Sequence, residues 1–424
     1  MNVLPLLRSP QFYLFAPVAA SFAAWMIPGT SEALRGFETR ASGGITAWLL
    51  IVDLYIVFGV LLWLGTKVGA HLRVPTHLAA TSQTPTFDRT FSWTLTIISL
   101  IGVGFATVQA AQDHSIVDLL QSGQGNQLKE SLSGSAGIET LRYAPAVAAP
   151  VALVRKLNHG GSLFQVIVNV ILLLWSSAFS SRLTFLAAIV IFLVMLALSR
   201  REMRIRVWLL ICGGVAIFAA LTAFNYFRNY NYYLRVGVSN PLMMNIYQIL
   251  SYLGAPAQAS VGVASAISGR DYTVSTDPYS LIGMVTPSFL SSAPTDATST
   301  PGYLSYVDVA SNLTTNSAFA NIYSQYGWAG LVVVGLTLFV AGALFGVFRQ
   351  FDSLLVVGAG VLMYGVSEIW RIYIFGQGIF IFLLLVVIVA GVLSMAIRHD
   401  RSRGEVSAYH PRLEKEMPPS GSLR

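Results

Sequence analysis

Charge is what this chain has least of. Only 11% of its residues are Asp, Glu, Lys or Arg, against about 25% in a soluble domain. The polar surface that would keep a 424-residue chain dissolved in water is missing. Cysteine is nearly absent as well. The single one, Cys212, lies in an apolar run, which excludes an intrachain disulfide and a thiolate–metal site. Lysine is scarce too. Of 26 basic residues only Lys67, Lys129, Lys156 and Lys415 are lysines, so arginine carries the +7 net charge. A GC-rich genome produces such a bias, but arginine is also the side chain whose planar fork grips phosphate bidentately. No Walker A loop, HExxH pair or dinucleotide fingerprint occurs. The alternating strands of about 10 residues that mark a membrane barrel are also lacking.

What the chain does have is apolar sequence, 54% of it. Many separate runs reach or approach the roughly 20 residues that cross a hydrocarbon core. A backbone in lipid must satisfy its own hydrogen bonds, so the runs are expected as helices. The fold class is therefore all-α: a polytopic integral membrane protein with about ten transmembrane helices. The expected spans are 11–29, 44–66, 92–111, 141–154, 161–179, 183–199, 207–225, 327–348, 353–374 and 376–397. The first resembles a signal peptide but runs on to Pro28, which favours an uncleaved anchor. Basic residues set the orientation. With the N-terminus inside, every short inner turn carries one: Arg8, the 67–91 loop, Arg155 with Lys156, the 199–206 loop, Arg349 and the tail from Arg398. Both termini then lie in the cytoplasm. Residues 1–398 form one membrane domain, and 399–424, charged and rich in Pro and Ser, read as a disordered tail. The stretch 226–326 is a long outer region before the eighth span. Within it, 240–268 is apolar but interrupted by Gly254 and Pro256, and is expected as an interfacial or re-entrant pair of short helices. Gly342-x-x-x-Gly346 reads as a helix-packing face.

Chemistry is expected at the outer ends of the spans. Arg142, Arg182, Arg228, Arg235 and Arg371 all fall there, against the usual charge bias. Such arginines serve either as snorkelling anchors or as ligands to an anion at headgroup depth. A lipid-linked pyrophosphate fits that position and chemistry. The stretch Asn225–Arg235, with Tyr226 and Tyr230, is an aromatic belt or a polar wall suited to sugar rings. Glu368 and Arg371, three apart, share one helix face as a neutralising pair or as a poised carboxylate. Asp53, deep in its span, reads as a packed polar residue. Thr314, Thr315, Asn316 and Ser317 gather donors before Tyr323, Tyr326, Gly327 and Gly330.

Three short stretches resemble bacterial oligosaccharide repeat-unit polymerases, the Wzy-type enzymes of O-antigen, capsule and exopolysaccharide. They are the Ser-Ser-Arg-Leu-Thr turn, Asn-Tyr-Phe-Arg-Asn after a later span, and Asn-Ser-Ala-Phe-Ala-Asn-Ile-Tyr-Ser-Gln-Tyr-Gly-Trp-Ala-Gly at a late span. As hydropathy, the resemblance covers about residues 10 to 397. It implies a membrane glycosyltransferase of the C-type architecture in the bacterial inner membrane, with 226–326 periplasmic. The enzyme would join undecaprenyl-pyrophosphate-linked oligosaccharides at the periplasmic face. Arg182, Arg228, Tyr326, Gly327 and Gly330 match its motifs. Gln325 stands where many relatives carry an aspartate, so no catalytic acid is assigned there. Glu368, Asp308 and Asp277 are the carboxylates left as a base. Arg142, Arg182, Arg228, Arg235, Arg371, Tyr226, Tyr230, Asn316 and Tyr326 are the expected substrate-binding residues. No metal, cofactor or nucleic acid is expected. Membrane lipids are expected partners, and a chain-length regulator or other polysaccharide-assembly protein is a further one. The alternatives are an O-antigen ligase and, outside the enzymes, a transporter of lipid-linked oligosaccharide.

Overall fold

The computed structural model describes residues 4–27, 43–76, 82–113, 138–179, 182–199, 237–274, 280–286 and 317–415, with short pieces between 214 and 235. Among these, every regular element is helical. The main helices are α1 (Pro10–Met26), α2 (Ile45–His71), α3 (Pro85–Asp113), α4 (Pro145–His159), α5 (Leu163–Phe179), α6 (Arg182–Leu198), α7 (Pro241–Ser268), α8 (Ala318–Phe348), α9 (Val357–Glu368) and α10 (Gly378–Lys415). Every expected span coincides with one of them except 207–225, of which only pieces are described. Among the described residues, four helices are long and apolar enough to cross a membrane: Ile45–His71, Pro85–Gln112, Ala318–Phe348 and Gly378–Ile397. Shorter apolar helices cover Leu163–Ala178, Leu183–Leu198 and Leu354–Glu368. The chain is thus a helical membrane protein.

Contacts at the helix ends sort the bundle into two ends. At the first, Arg8 Nε donates to Ala197 O at 2.7 Å. Asp88 Oδ1 there accepts from Leu354 N at 3.1 Å, and Gln350 Nε2 donates to Leu72 O at 2.8 Å. This end carries Arg8, Arg155, Lys156 and Arg349, and is the basic end. The other end holds the starts of α2, α6 and α8 and the close of α9. The tightest pair is α2 with α8. Gly65 and Gly69 meet the backbone at Phe339 and Ala343, while Gly342 and Gly346 meet the backbone at Leu62 and Thr66. Positions later in α2 touch positions later in α8, so the two helices run parallel. Small residues let backbones approach where lipid gives no hydrophobic drive, and the expected packing role of Gly342 and Gly346 holds.

A second seam is polar. Gln165 Nε2 donates to Ser92 Oγ and to Thr96 Oγ1, both at 2.9 Å, and Asn169 Nδ2 donates to Thr96 Oγ1 at 2.9 Å. Arg155 Nη1 donates to Gln165 Oε1 at 3.0 Å. All four α3 and α5 side chains are buried. In lipid the only alternative to such a ladder is an unpaired polar group, so it fixes the register of α3 on α5.

Four expectations change. Residues 241–268 are one continuous 28-residue helix, not a pair of short ones. Asn240 Oδ1 caps it by accepting from Leu242 N at 2.9 Å. Proline in a membrane helix is tolerated where neighbours take up the freed backbone groups. Pro256 leaves Tyr252 O without its helical donor, and Ser21 Oγ of α1 donates to the next carbonyl, Leu253 O, at 2.6 Å. Trp25 Nε1 donates to Gln258 Oε1 at 2.7 Å. The later residue of α1 meets the later residue of α7, so α7 runs parallel to α1 inside the bundle. Second, α9 stops at Glu368 and α8 begins at Ala318, capped by Ser317 Oγ. Third, α10 continues to Lys415, where the sequence pointed to disorder from 399. Gly404 and Pro411 inside that stretch disfavour a helix locally, so the sequence does not announce the extension. Fourth, Asp53 is exposed, on the face of α2 that also presents Leu49, Val52 and Ile56. Apolar period alone does not tell a lipid-facing position from a packed one.

Candidate functional site

The far end of the bundle holds a buried ion pair. Arg371 follows α9 in a turn, and its backbone N–H donates to Glu368 O at 2.9 Å, as that of Ile372 does at 2.8 Å. The turn brings Arg371 Nε to Glu368 Oε2, 2.5 Å away. Glu368 is 5% exposed and Arg371 4%. A buried charge is tolerated only with its partner close. The guanidinium is also held between rings, with its carbon 5.9 Å from the centres of both Tyr252 and Trp370. Such faces attract a cation. Even so, Arg371 Nη2 is buried with no hydrogen-bond partner among the described residues. One helical turn before Glu368 stands Tyr364, fully buried. Its hydroxyl likewise has no hydrogen-bond partner among them. Tyr364 lies within electrostatic reach of Glu368, Arg371 and Tyr143.

Tyr143 ends the short turn Ile138–Tyr143 that leads into α4. Arg142 lies beside it: Nη2 donates to Tyr143 Oη at 3.3 Å, and the guanidinium carbon is 5.2 Å from the ring centre. Arg142 O accepts from Ser176 Oγ of α5 at 2.6 Å, which ties the turn to the bundle. Tyr143 thus brings this turn within reach of the cluster of Tyr364, Glu368 and Arg371, with Arg142 against the same ring. Arg182 opens α6, which runs toward the basic end while α9 runs away from it. Ile191 of α6 packs on Gly360 of α9. With about 1.5 Å of rise per residue in each helix, the Arg182 backbone stands roughly level with Ile369. The Arg182 side chain lies outside what is described.

The remaining candidates are placed differently. Arg235 is exposed, and its Nε donates back to Asn231 O at 3.2 Å. The rings of Tyr226 and Tyr230 meet tilted, 4.8 Å between centres. Tyr226 also lines an apolar groove of about 540 Å³ with Phe218, Ala219, Ala223, Pro241 and Leu242. Tyr326 is half-buried beside the kink of α8 at Gly327, whose φ of 57° and ψ of −150° belong to glycine alone. Arg228, Asp277, Asp308 and Asn316 lie outside the described residues.

The sequence reading missed Tyr364, Tyr143, Tyr252 and Trp370. A signal for Tyr364 existed: positions 364, 368 and 371 follow the i, i+4, i+7 pattern of one helix face. Chemically, the cluster is a fixed cation with an unused donor edge, beside an unused phenolic donor. It suits an anionic oxygen. Among known proteins, no family model, no curated protein and no solved structure matches the chain.

Proposed function

We propose that this protein is a polymerase of lipid-linked oligosaccharide repeat units, a glycosyltransferase of the bacterial inner membrane. In this reading ten spans cross the membrane, the architecture is C-type-like, and the basic end faces the cytoplasm with both termini. The far end then faces the periplasm. The donor is a growing glycan on undecaprenyl pyrophosphate, and the acceptor is one repeat unit on a second such lipid. An acceptor hydroxyl attacks the donor's anomeric carbon. A new C–O bond forms, the bond to the pyrophosphate oxygen breaks, and the hydroxyl proton passes to a base, for which Glu368 and Asp308 are the candidates. Negative charge grows on the departing lipid pyrophosphate, where preorganised guanidinium groups help most. Arg142, Arg182, Arg228, Arg235 and Arg371 are the proposed holders, with Tyr226, Tyr230, Asn316 and Tyr326 toward the sugars. Membrane lipid and a chain-length regulator are the other proposed partners.

One observation carries the reading. Arg371 is buried at the far end, locked by Glu368, and keeps a donor edge that nothing described satisfies. Arg142 contacts Tyr143, which lies within reach of Tyr364. Membrane arginines so placed mark functional sites by default.

The test is a deletion strain whose surface glycan is separated on a gel. The native gene should restore the ladder of chain lengths. Arg182→Ala, Arg228→Ala and Arg371→Ala should each leave single repeats, because one lost transition-state donor costs about 10²–10³ in rate. Protein levels of the arginine variants at 182 and 228 should match the wild type. Normal ladders in all three variants sink the pyrophosphate assignment. Lipid-linked polymer accumulating in the deletion strain would mark a ligase instead.

A further inference from the structure

We infer that Tyr364 is a second donor to the anionic oxygen bound by Arg371, and that Glu368 positions Arg371 instead of acting as the base. The inference rests on the polymerase reading and names how its phosphate site is built.

Consider first what each partner of Arg371 leaves free. The backbone turn, Glu368 Oε2 at Nε and two ring faces fix the guanidinium plane. The edge carrying Nη2 is buried and, among the described residues, unused. Glu368 Oε2 is engaged by the guanidinium 2.5 Å away, in a residue only 5% exposed. A lone pair held by a guanidinium is a poor acceptor for a substrate proton. Its service is to orient the fork and to offset its charge.

Tyr364 is the less obvious member. A buried hydroxyl without a partner costs roughly 1–3 kcal/mol, so such groups are rare. Here two unpartnered donors occur in one cluster, Arg371 Nη2 and Tyr364 Oη, with exposures of 4% and 0% for their residues. Packing alone would be served as well by phenylalanine at 364. A single oxyanion satisfies both donors, and a phosphoryl oxygen has the lone pairs to do so. To admit it, the half-buried rings of Tyr252 and Trp370 over the guanidinium must tilt. Two sources supply a phosphoryl oxygen at this depth, a prenyl pyrophosphate and an ordinary phospholipid headgroup. The site at the periplasmic end of a polymerase takes the former.

The experiment uses the full chain in nanodiscs of zwitterionic lipid, with equilibrium binding of a fluorescent prenyl pyrophosphate. Phosphatidylglycerol and inorganic pyrophosphate serve as competitors. Tyr364→Phe should weaken binding about tenfold or more. It should also raise the melting temperature of the ligand-free protein, because it deletes a hydroxyl that has no partner. A tyrosine kept for packing would show the rise in melting temperature without the loss of binding. Glu368→Gln should weaken binding while the rate-against-pH profile of polymerisation keeps its shape. If Glu368 is the base instead, Glu368→Gln leaves binding intact and removes the acidic limb of that profile. Should Arg371→Lys weaken binding while Tyr364→Phe and Glu368→Gln do not, this inference fails and the polymerase reading stands. If the native protein binds the prenyl pyrophosphate no better than phosphatidylglycerol, both fail.

Discussion

At the scale of single residues, Arg371 has an observed role and a proposed one that substitution can separate. It pairs with Glu368 inside the bundle, and in the proposal its unused donor edge takes an anion. Removing one partner of a buried pair strands the other charge, which costs about 3–5 kcal/mol, whereas replacing both with uncharged groups can be nearly neutral. Arg371→Ala should therefore lower the melting temperature in detergent markedly. The double variant Glu368→Gln with Arg371→Gln should recover most of that loss yet make no polymer. Thermal unfolding beside a glycan gel checks both halves. A double variant as unstable as the single one would mean the pair is not what holds the turn 368–371. The pairing of Glu368 with Arg371 was legible from their spacing. The end of α9 at Glu368 was not, because hydropathy continues through Ile369, Trp370 and Ile372 while the helix does not. Asp53 failed for a related reason: an apolar helix carries no mark in its sequence of which face meets lipid.

At the scale of elements, the parallel pair α2–α8 is the seam with the least tolerance. Backbone meets backbone at Gly65, Gly69, Gly342 and Gly346, so any side chain there forces the helices apart. Overpacking a filled interface costs about 1–3 kcal/mol. Gly342→Leu should disturb the folded protein far more than Val340→Leu on the same helix, where the side chain is exposed. Size-exclusion profiles of the two variants in detergent make the comparison. Equal profiles would contradict the close seam. The sequence pointed to Gly342 and Gly346 as a packing face but not to α2 as its partner, since a small-residue stripe says nothing about what lies across from it. Helix α7 shows the opposite failure. Gly254 and Pro256 are strong local break signals, yet Ser21, Trp25 and the packing of α1 keep the helix whole. The polar ladder of Gln165 and Asn169 on Ser92 and Thr96 went unread because single polar residues in an apolar run look alike until their neighbours are known.

At the scale of the whole molecule, hydropathy and basic residues were sufficient to anticipate a helical membrane bundle, and helix ends sort as that reading requires. Arg8 with Ala197, Gln350 with Leu72 and Asp88 with Leu354 make contact at one end. Arg142, Glu368 and Arg371 stand at the other. This sorting supports the functional proposal, in which the basic end faces the cytoplasm and the cluster at Arg371 faces outward as an anion site. The most direct measurement uses purified protein in nanodiscs with lipid-pyrophosphate-linked single repeats isolated from the deletion strain, and reads the products by mass spectrometry. The account predicts a ladder at repeat-unit spacing, with one lipid pyrophosphate released per bond formed, and no ladder from Arg371→Lys. Unchanged single repeats with the native protein, or an undiminished ladder with Arg371→Lys, would contradict it.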